Sequence, residues 1–259
     1  MRDADWIRRH IRADEHAEVL DVSNAFGVLG VMGPNSRVLL SRVTDADLSN
    51  RAFPFGTAQM MGIGRASVYA ARITYVGELG WELHAPTDQL SLVYDTLTEA
   101  GKDLGVINAG HYAINSLRLE KGYRAWGADL SSDDTPLEAG LSFALEWDKE
   151  FIGRDALLKQ KKTGLDRQLV IFVLKDPAPL LWGSELIYRE GEPVGYTTSG
   201  SYGHTIGAAL AMGYVNNAGG VSPQFITAGR YEINVNGTRY PAAPHLRAPY
   251  DPQRKRILL

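Results

Sequence analysis

Hydrophobic and polar positions along this chain follow first a helical and then an alternating rhythm, and the change of rhythm divides it. Trp6, Ile7 and Ile11 recur at helical spacing and predict a short helix over residues 3–12. Residues 19–22 and 27–32 read as strands; Gly33-Pro34 stops the second, and Val38, Leu39 and Val43 mark the inward face of a following helix. A turn-rich stretch leads to a long strand over 67–75, a glycine turn, and a strand over 81–84. The clearest helix covers 88–100: Thr87 or Asp88 caps it, Leu90, Val93, Leu97 and Ala100 share a face, and Gly101 ends it. A second helix is predicted over 110–121, stopping at Gly122. Thr135-Pro136-Leu137-Glu138 has the form of a capping box and predicts another short helix. Leu141, Phe143, Leu145 and Trp147 then alternate as in a half-buried strand.

After a helix over 154–162 the chain turns almost wholly to strand and turn. Leu169, Ile171 and Val173 alternate, Tyr231, Ile233 and Val235 alternate again, and Glu190-Gly191 and Asn236-Gly237 are hairpin turns. Strands this short and evenly spaced predict a small barrel or sandwich. The fold class is therefore α+β, with a first domain over residues 1–164 ending in a connecting helix and a barrel domain over 165–259.

A length of 259 residues favours two domains, and 44% hydrophobic with 22% charged residues is ordinary for a globular protein. A net charge of −3 speaks against a nucleic-acid partner. The absence of cysteine excludes disulfides, thiolate metal sites and cysteine nucleophiles. The charged first residues contain no signal-peptide core, and no apolar run reaches bilayer length, so a soluble, cytoplasmic protein without membrane association is expected. The histidines are scattered without zinc-motif spacing, which predicts no metal site. Gly27, Gly30 and Gly33, like Gly62 and Gly64, fall short of a dinucleotide fingerprint, so no FAD or nicotinamide site is expected.

The candidate chemistry lies in ITYVGELGWEL, residues 73–83. Tyr75 precedes a turn built on Gly77 and Gly80, and Glu82 follows it; glycine allows the sharp bend and close approach by a ligand. A ring and a carboxylate beside such a turn suit a flat heteroaromatic guest with paired N–H donors. The same spacing also fits a hairpin with a core tyrosine and a solvated glutamate. Farther on, Arg118 and Glu120 sit on a helix ended by Gly122 and read as ion-pairing supports for the loop carrying Tyr123 and Trp126. For those two aromatics, filling a gap between domains and contacting a ligand are equally open readings.

Longer motifs then bring a family into view. SLRLEKGYRAWG (116–127), DDTPLEAGL (133–141), DKEFIGRDALL (148–158) and VGYTTSGSYGHTIG (194–207), together with ITYVGELGWEL, resemble the glycine-cleavage T-protein (aminomethyltransferase) family. The likeness covers residues 3–252 and is greatest to the folate-binding C-terminal half of dimethylglycine and sarcosine dehydrogenases. It implies a one-carbon transferase module that binds tetrahydrofolate in a hole between domains and forms 5,10-methylene-tetrahydrofolate. Glu82 matches the carboxylate that receives the pterin, where an ionised carboxylate accepts two parallel N–H donors. Tyr75 matches a tyrosine of the same pocket, and Tyr123 and Tyr202 are placed nearby by motif position.

Ile114-Asn115 stand where T-proteins usually have Arg-Asp, which steers the resemblance towards the dehydrogenase branch. Family members also carry a long N-terminal section holding an aspartate that serves as the acid/base candidate. This sequence shows no counterpart, so its catalytic residues are unknown and weak or no activity alone is expected. A second reading follows: a non-catalytic folate-binding or partner-binding fragment. The same gap predicts self-association or a flavin-domain partner, with Trp6, Ile7 and Val31 near the uncovered surface.

Overall fold

In the computed structural model, which describes residues 2–259, the chain divides into two compact units. Of the described residues, the first comprises 2–74, 78–107 and 257–259; the second comprises 75–77 and 108–256. No helix among the described residues is long and apolar enough to cross a membrane.

The first unit is built on a four-stranded antiparallel sheet in the order β1 (Phe26–Met32), β4 (Gly80–Pro86), β3 (Ala66–Ala71), β2 (Ala58–Ile63). Strand alternation puts Trp81, Leu83 and Ala85 of β4, Val68 and Ala70 of β3, and Met61 and Ile63 of β2 into one core. Two helices, α2 (Ser36–Ser41) and α3 (Leu90–Ala100), supply Leu39, Leu40, Val93 and Leu97 to that core. The sheet's opposite face keeps Phe26, Val28, Met60 and Tyr69 exposed. Helix α1 (Arg2–His10) forms, with Trp6 stacked on His10, but Trp6 and Ile7 stay about half exposed. Val31, expected at the uncovered surface, instead packs against the core; it is Val28 that faces outward, because the two lie an odd number of residues apart on β1.

The second unit contains a closed antiparallel barrel in the order β10 (Thr238–His245), β5 (Arg167–Leu174), β8 (Ala208–Asn216), β7 (Glu192–Gly203), β6 (Leu186–Arg189), β9 (Tyr231–Val235). Of the barrel or sandwich expected from the strand spacing, the barrel forms. Both hairpin turns form, with left-handed φ at Glu190 and Gly191 and at Asn236 and Gly237. Val170 and Phe172 fill the barrel, while Leu169 and Ile171 point outward beneath Leu119 of α4 (His111–Glu120). The remaining helices are α5 (Arg154–Thr163) and α6 (Pro223–Ala228).

Three expected elements are absent. Residues 19–22 form no strand: Leu20 and Val22 are exposed and have no neighbour to pair with. The capping box does close, with Thr135 N–H donating to Glu138 Oε2 at 2.9 Å and Glu138 N–H to Thr135 Oγ1 at 3.2 Å. Gly140, at φ +68°, ends the turn before a helix can grow. The alternating apolar residues from Leu141 to Trp147 make a single 3₁₀ turn over Ser142–Ala144, leaving Phe143 exposed; with no adjoining edge, alternation alone makes no strand.

Candidate functional site

Glu82 owes its position to the alternation of β4. With Trp81 and Leu83 fully buried, Glu82 and His84 must emerge on the sheet's open face. The registers place Val28, His84, Tyr69 and Met60 in one row across the four strands. The next row is Gly30, Glu82, Ala71 and Ala58. A ridge of large side chains therefore runs beside a trough of small ones, and Glu82 is the only ionisable group in the trough. Its one ionic contact among the described residues is His84 Nε2 at 3.9 Å, so the carboxylate keeps lone pairs to offer. Gly80 makes the strand's entry possible: a Cβ there would lie 2.6 Å from Met32 Cγ and 2.9 Å from the Val31 carbonyl oxygen.

Tyr75 and Tyr123 meet in the second unit. Their rings are nearly parallel, 6.0 Å apart at an interplanar angle of 10°, and Tyr75 OH donates to the Arg124 carbonyl at 3.1 Å. Burial raises the pKa of both phenols, so both stay neutral donors across the physiological range. Gly122, at φ +69°, turns the chain out of α4 and into their loop.

Arg118 holds that loop. Its Nη1 donates to the Tyr123 carbonyl at 3.0 Å and pairs with the fully buried Asp129, while Nη2 donates to Ser199 Oγ at 2.7 Å. Asp129 in turn accepts from Ala125 N–H at 2.8 Å and Thr198 Oγ1 at 2.6 Å. Residues 123–129 are thus tied to α4 through Arg118, as expected from the sequence, and also to β7. Glu120 works differently from the ion pair expected of it: its Oε1 accepts from the backbone N–H groups of Thr205 and Ile206, at 2.8 and 2.9 Å. Trp126, 64% exposed, lines a cavity of about 490 Å³ with Tyr112, Asn115, Arg118, Trp182 and Ser199. Within its own unit it fills no gap.

Tyr202 lies near the end of β7. Its carbonyl accepts from Ser116 Oγ at 2.6 Å, and its ring stands edge-on to His204 at 5.1 Å. Of the sequence-predicted positions, the structure brings Tyr75 and Tyr123 into contact, sets Tyr202 on the barrel of the same unit, and sets Glu82 on the sheet of the first. Trp182 and Asp129 escaped the sequence reading. Neither stands in a spaced motif, and Asp129 declares itself only through partners distant in the chain.

Comparison with known proteins matches both parts of the chain, with residues 108–149 of the second unit falling within the first match. The family model of the GCVT N-terminal domain matches residues 1–149, and that of the glycine cleavage T-protein C-terminal barrel domain matches residues 167–251. Mitochondrial sarcosine dehydrogenase of Mus musculus is 44% identical, a match covering 93% of this chain and 26% of that protein. Mitochondrial dimethylglycine dehydrogenase of Homo sapiens is 38% identical, over 93% of this chain and 28% of that protein. Aminomethyltransferase of Halothermothrix orenii is 40% identical, over 83% of this chain and 59% of that protein. The chain therefore spans about a quarter of the matched dehydrogenases. Among solved structures, the glycine cleavage system aminomethyltransferase T from Bartonella henselae superimposes with a TM-score of 0.72 at 26% identity, over 88% of this chain and 60% of that one.

Proposed function

We propose, from the premise that this chain belongs to the glycine cleavage T-protein (aminomethyltransferase) family, that it is a tetrahydrofolate-binding module for one-carbon transfer. The observation that carries this reading is Glu82, a carboxylate with unused lone pairs set among Gly30, Ala71 and Ala58 on an open sheet face. Small neighbours leave room for a flat ring, and the carboxylate is placed to accept from a 2-amino group and the adjacent ring N–H together. That donor–acceptor match is the fit expected of a pterin edge.

Tyr75, Tyr123 and Tyr202 are proposed as further folate contacts on the strength of their motifs. The parallel Tyr75–Tyr123 pair adds neutral phenols and flat faces suited to aromatic packing. Bound tetrahydrofolate supplies the nitrogen that takes up the one-carbon unit. This chain's residues bind and orient it, and orientation is the main contribution such a site makes. The amines named in the dehydrogenase relatives, sarcosine and dimethylglycine, are the proposed sources of that unit. A flavin-bearing polypeptide is the proposed partner, and the cytoplasm the proposed location.

Calorimetric titration with tetrahydrofolate tests the assignment. Glu82→Ala is expected to lose about 2 kcal/mol, roughly thirtyfold in Kd, because buried ligand donors lose a charged acceptor. Equal affinities for wild type and variant would remove Glu82 from the site. The second reading, a folate-binding or partner-binding fragment without catalysis, is separated by turnover with a flavin-bearing dehydrogenase domain added as the oxidant of the amine: folate binding intact while no 5,10-methylene-tetrahydrofolate forms from sarcosine or dimethylglycine would favour it.

A further inference from the structure

Trp81, on the buried face of β4, is flanked by two guanidiniums. Arg37 Cζ lies 5.7 Å and Arg72 Cζ 5.5 Å from its ring centroid. Arg72 is 1% exposed, yet neither arginine pairs with a side-chain carboxylate among the described residues. Arg72 Nη1 donates to the Phe53 carbonyl at 2.7 Å, and Arg37 Nη2 to Asn50 Oδ1 at 2.7 Å. Both arginines then converge on one atom, the main-chain oxygen of Leu259, at 2.6 Å from Arg37 and 2.8 Å from Arg72.

The local inventory is short of acceptors. Arg37 Nε, Arg72 Nε and Trp81 Nε1 are all buried N–H groups without a partner. Burying a cation without a counter-charge costs far more than burying a satisfied one. Burial, and after it the charge of Arg37, lowers the pKa of Arg72. Two like charges and three unpaired donors around one main-chain oxygen describe a receptor for an anion. The forked donors of arginine match a planar carboxylate best.

We propose that Arg37 and Arg72, with Trp81 between them, form a carboxylate-binding site, and that the Leu259 oxygen marks where the carboxylate sits. The group has two sources: the main-chain carboxylate of a chain ending at Leu259, or a small free carboxylate. The tail is well placed for the first, since Ile257 is 1% exposed and Asn50 Nδ2 donates to the Leu258 carbonyl at 3.1 Å.

Thermal melts decide it, using the 259-residue chain and the same chain extended by Gly-Ser, each as wild type, Arg37→Gln and Arg37→Lys. Acetate is exchanged for chloride at constant ionic strength. If the terminal carboxylate is the ligand, the extension lowers Tm by about 2–4 °C. Arg37→Gln should erase that difference, while Arg37→Lys keeps part of it. If a free anion is the ligand, acetate raises Tm saturably in both chains, by the mass action of a ligand bound only when folded, and Arg37→Gln abolishes the rise. A Tm response to extension and to acetate that Arg37→Gln leaves unchanged, or no response to either, would overturn the proposal.

Discussion

At Gly77 the backbone takes a φ of +78°, and a Cβ there would lie 2.8 Å from Cγ and Cδ of Lys121. The bend was legible, because two glycines beside Tyr75 announce a turn. The lysine stem beneath it was not, since nothing near residue 77 names a contact with residue 121. Lys121 Nζ pairs with Asp251 Oδ2 at 2.7 Å, with side chains only 3% and 9% exposed. Gly77→Ala therefore strains the turn and pushes on a buried ion pair, whereas Gly127→Ala meets a left-handed φ of +87° with nothing within 4 Å. We expect Gly127→Ala to cost about 1 kcal/mol and Gly77→Ala about 3 kcal/mol, measured by urea unfolding. Equal losses would show that the turn and the Lys121–Asp251 pair are independent. Glu82 presents the opposite case: alternation with Trp81 and Leu83 fixes its face, so its emergence could be read directly from the sequence.

Elements were legible where the signal is local and illegible where it depends on a partner. Asn236-Gly237 and Glu190-Gly191 carry their own backbone preferences and form as read. The alternation of Leu141, Phe143, Leu145 and Trp147 lacks a neighbouring strand and forms none. The cap at Thr135 closes on Glu138, but the nearby glycine leaves no helix to cap. Helix α4 shows how much of a site is built by groups distant in sequence. Ser116 and Glu120, one turn apart, fasten the end of β7 and the turn after it through the Tyr202 carbonyl and the Thr205 and Ile206 N–H groups. Glu120 is 1% exposed, and its removal takes the shared acceptor from two backbone donors. Glu120→Ala is expected to cost about 2–3 kcal/mol, while Glu120→Gln, which keeps an acceptor, costs about 1 kcal/mol. Hydrogen exchange at Thr205 and Ile206 should quicken in the alanine variant and stay protected in the glutamine one. Equal protection in both would mean that the segment holds without α4.

For the molecule as a whole, the consequential surface is the open face of the first unit's sheet. Val28, Met60 and Tyr69 are 51%, 62% and 47% exposed, and the registers line them up with His84 across all four strands. Strands β1 and β2 stand at the two ends of the sheet order, so each presents a free edge among the described residues. Trp6 and Ile7 of α1 add further exposed apolar surface to the same unit. A contiguous apolar face with open edges lowers its free energy by finding a second surface, and unpaired edges offer a template for doing so. A net charge of −3 over 259 residues supplies little repulsion to oppose this. The chain by itself should therefore self-associate, its sedimentation coefficient rising with concentration across the micromolar range. Val28→Lys with Met60→Glu places charges at both ends of the exposed row, leaves the buried face untouched, and should return the chain to a monomer with little change in Tm. A wild-type chain that sediments as a monomer throughout would mean that this face is compatible with water as it stands. A double variant that still associates would move the contact to α1 or to the barrel unit.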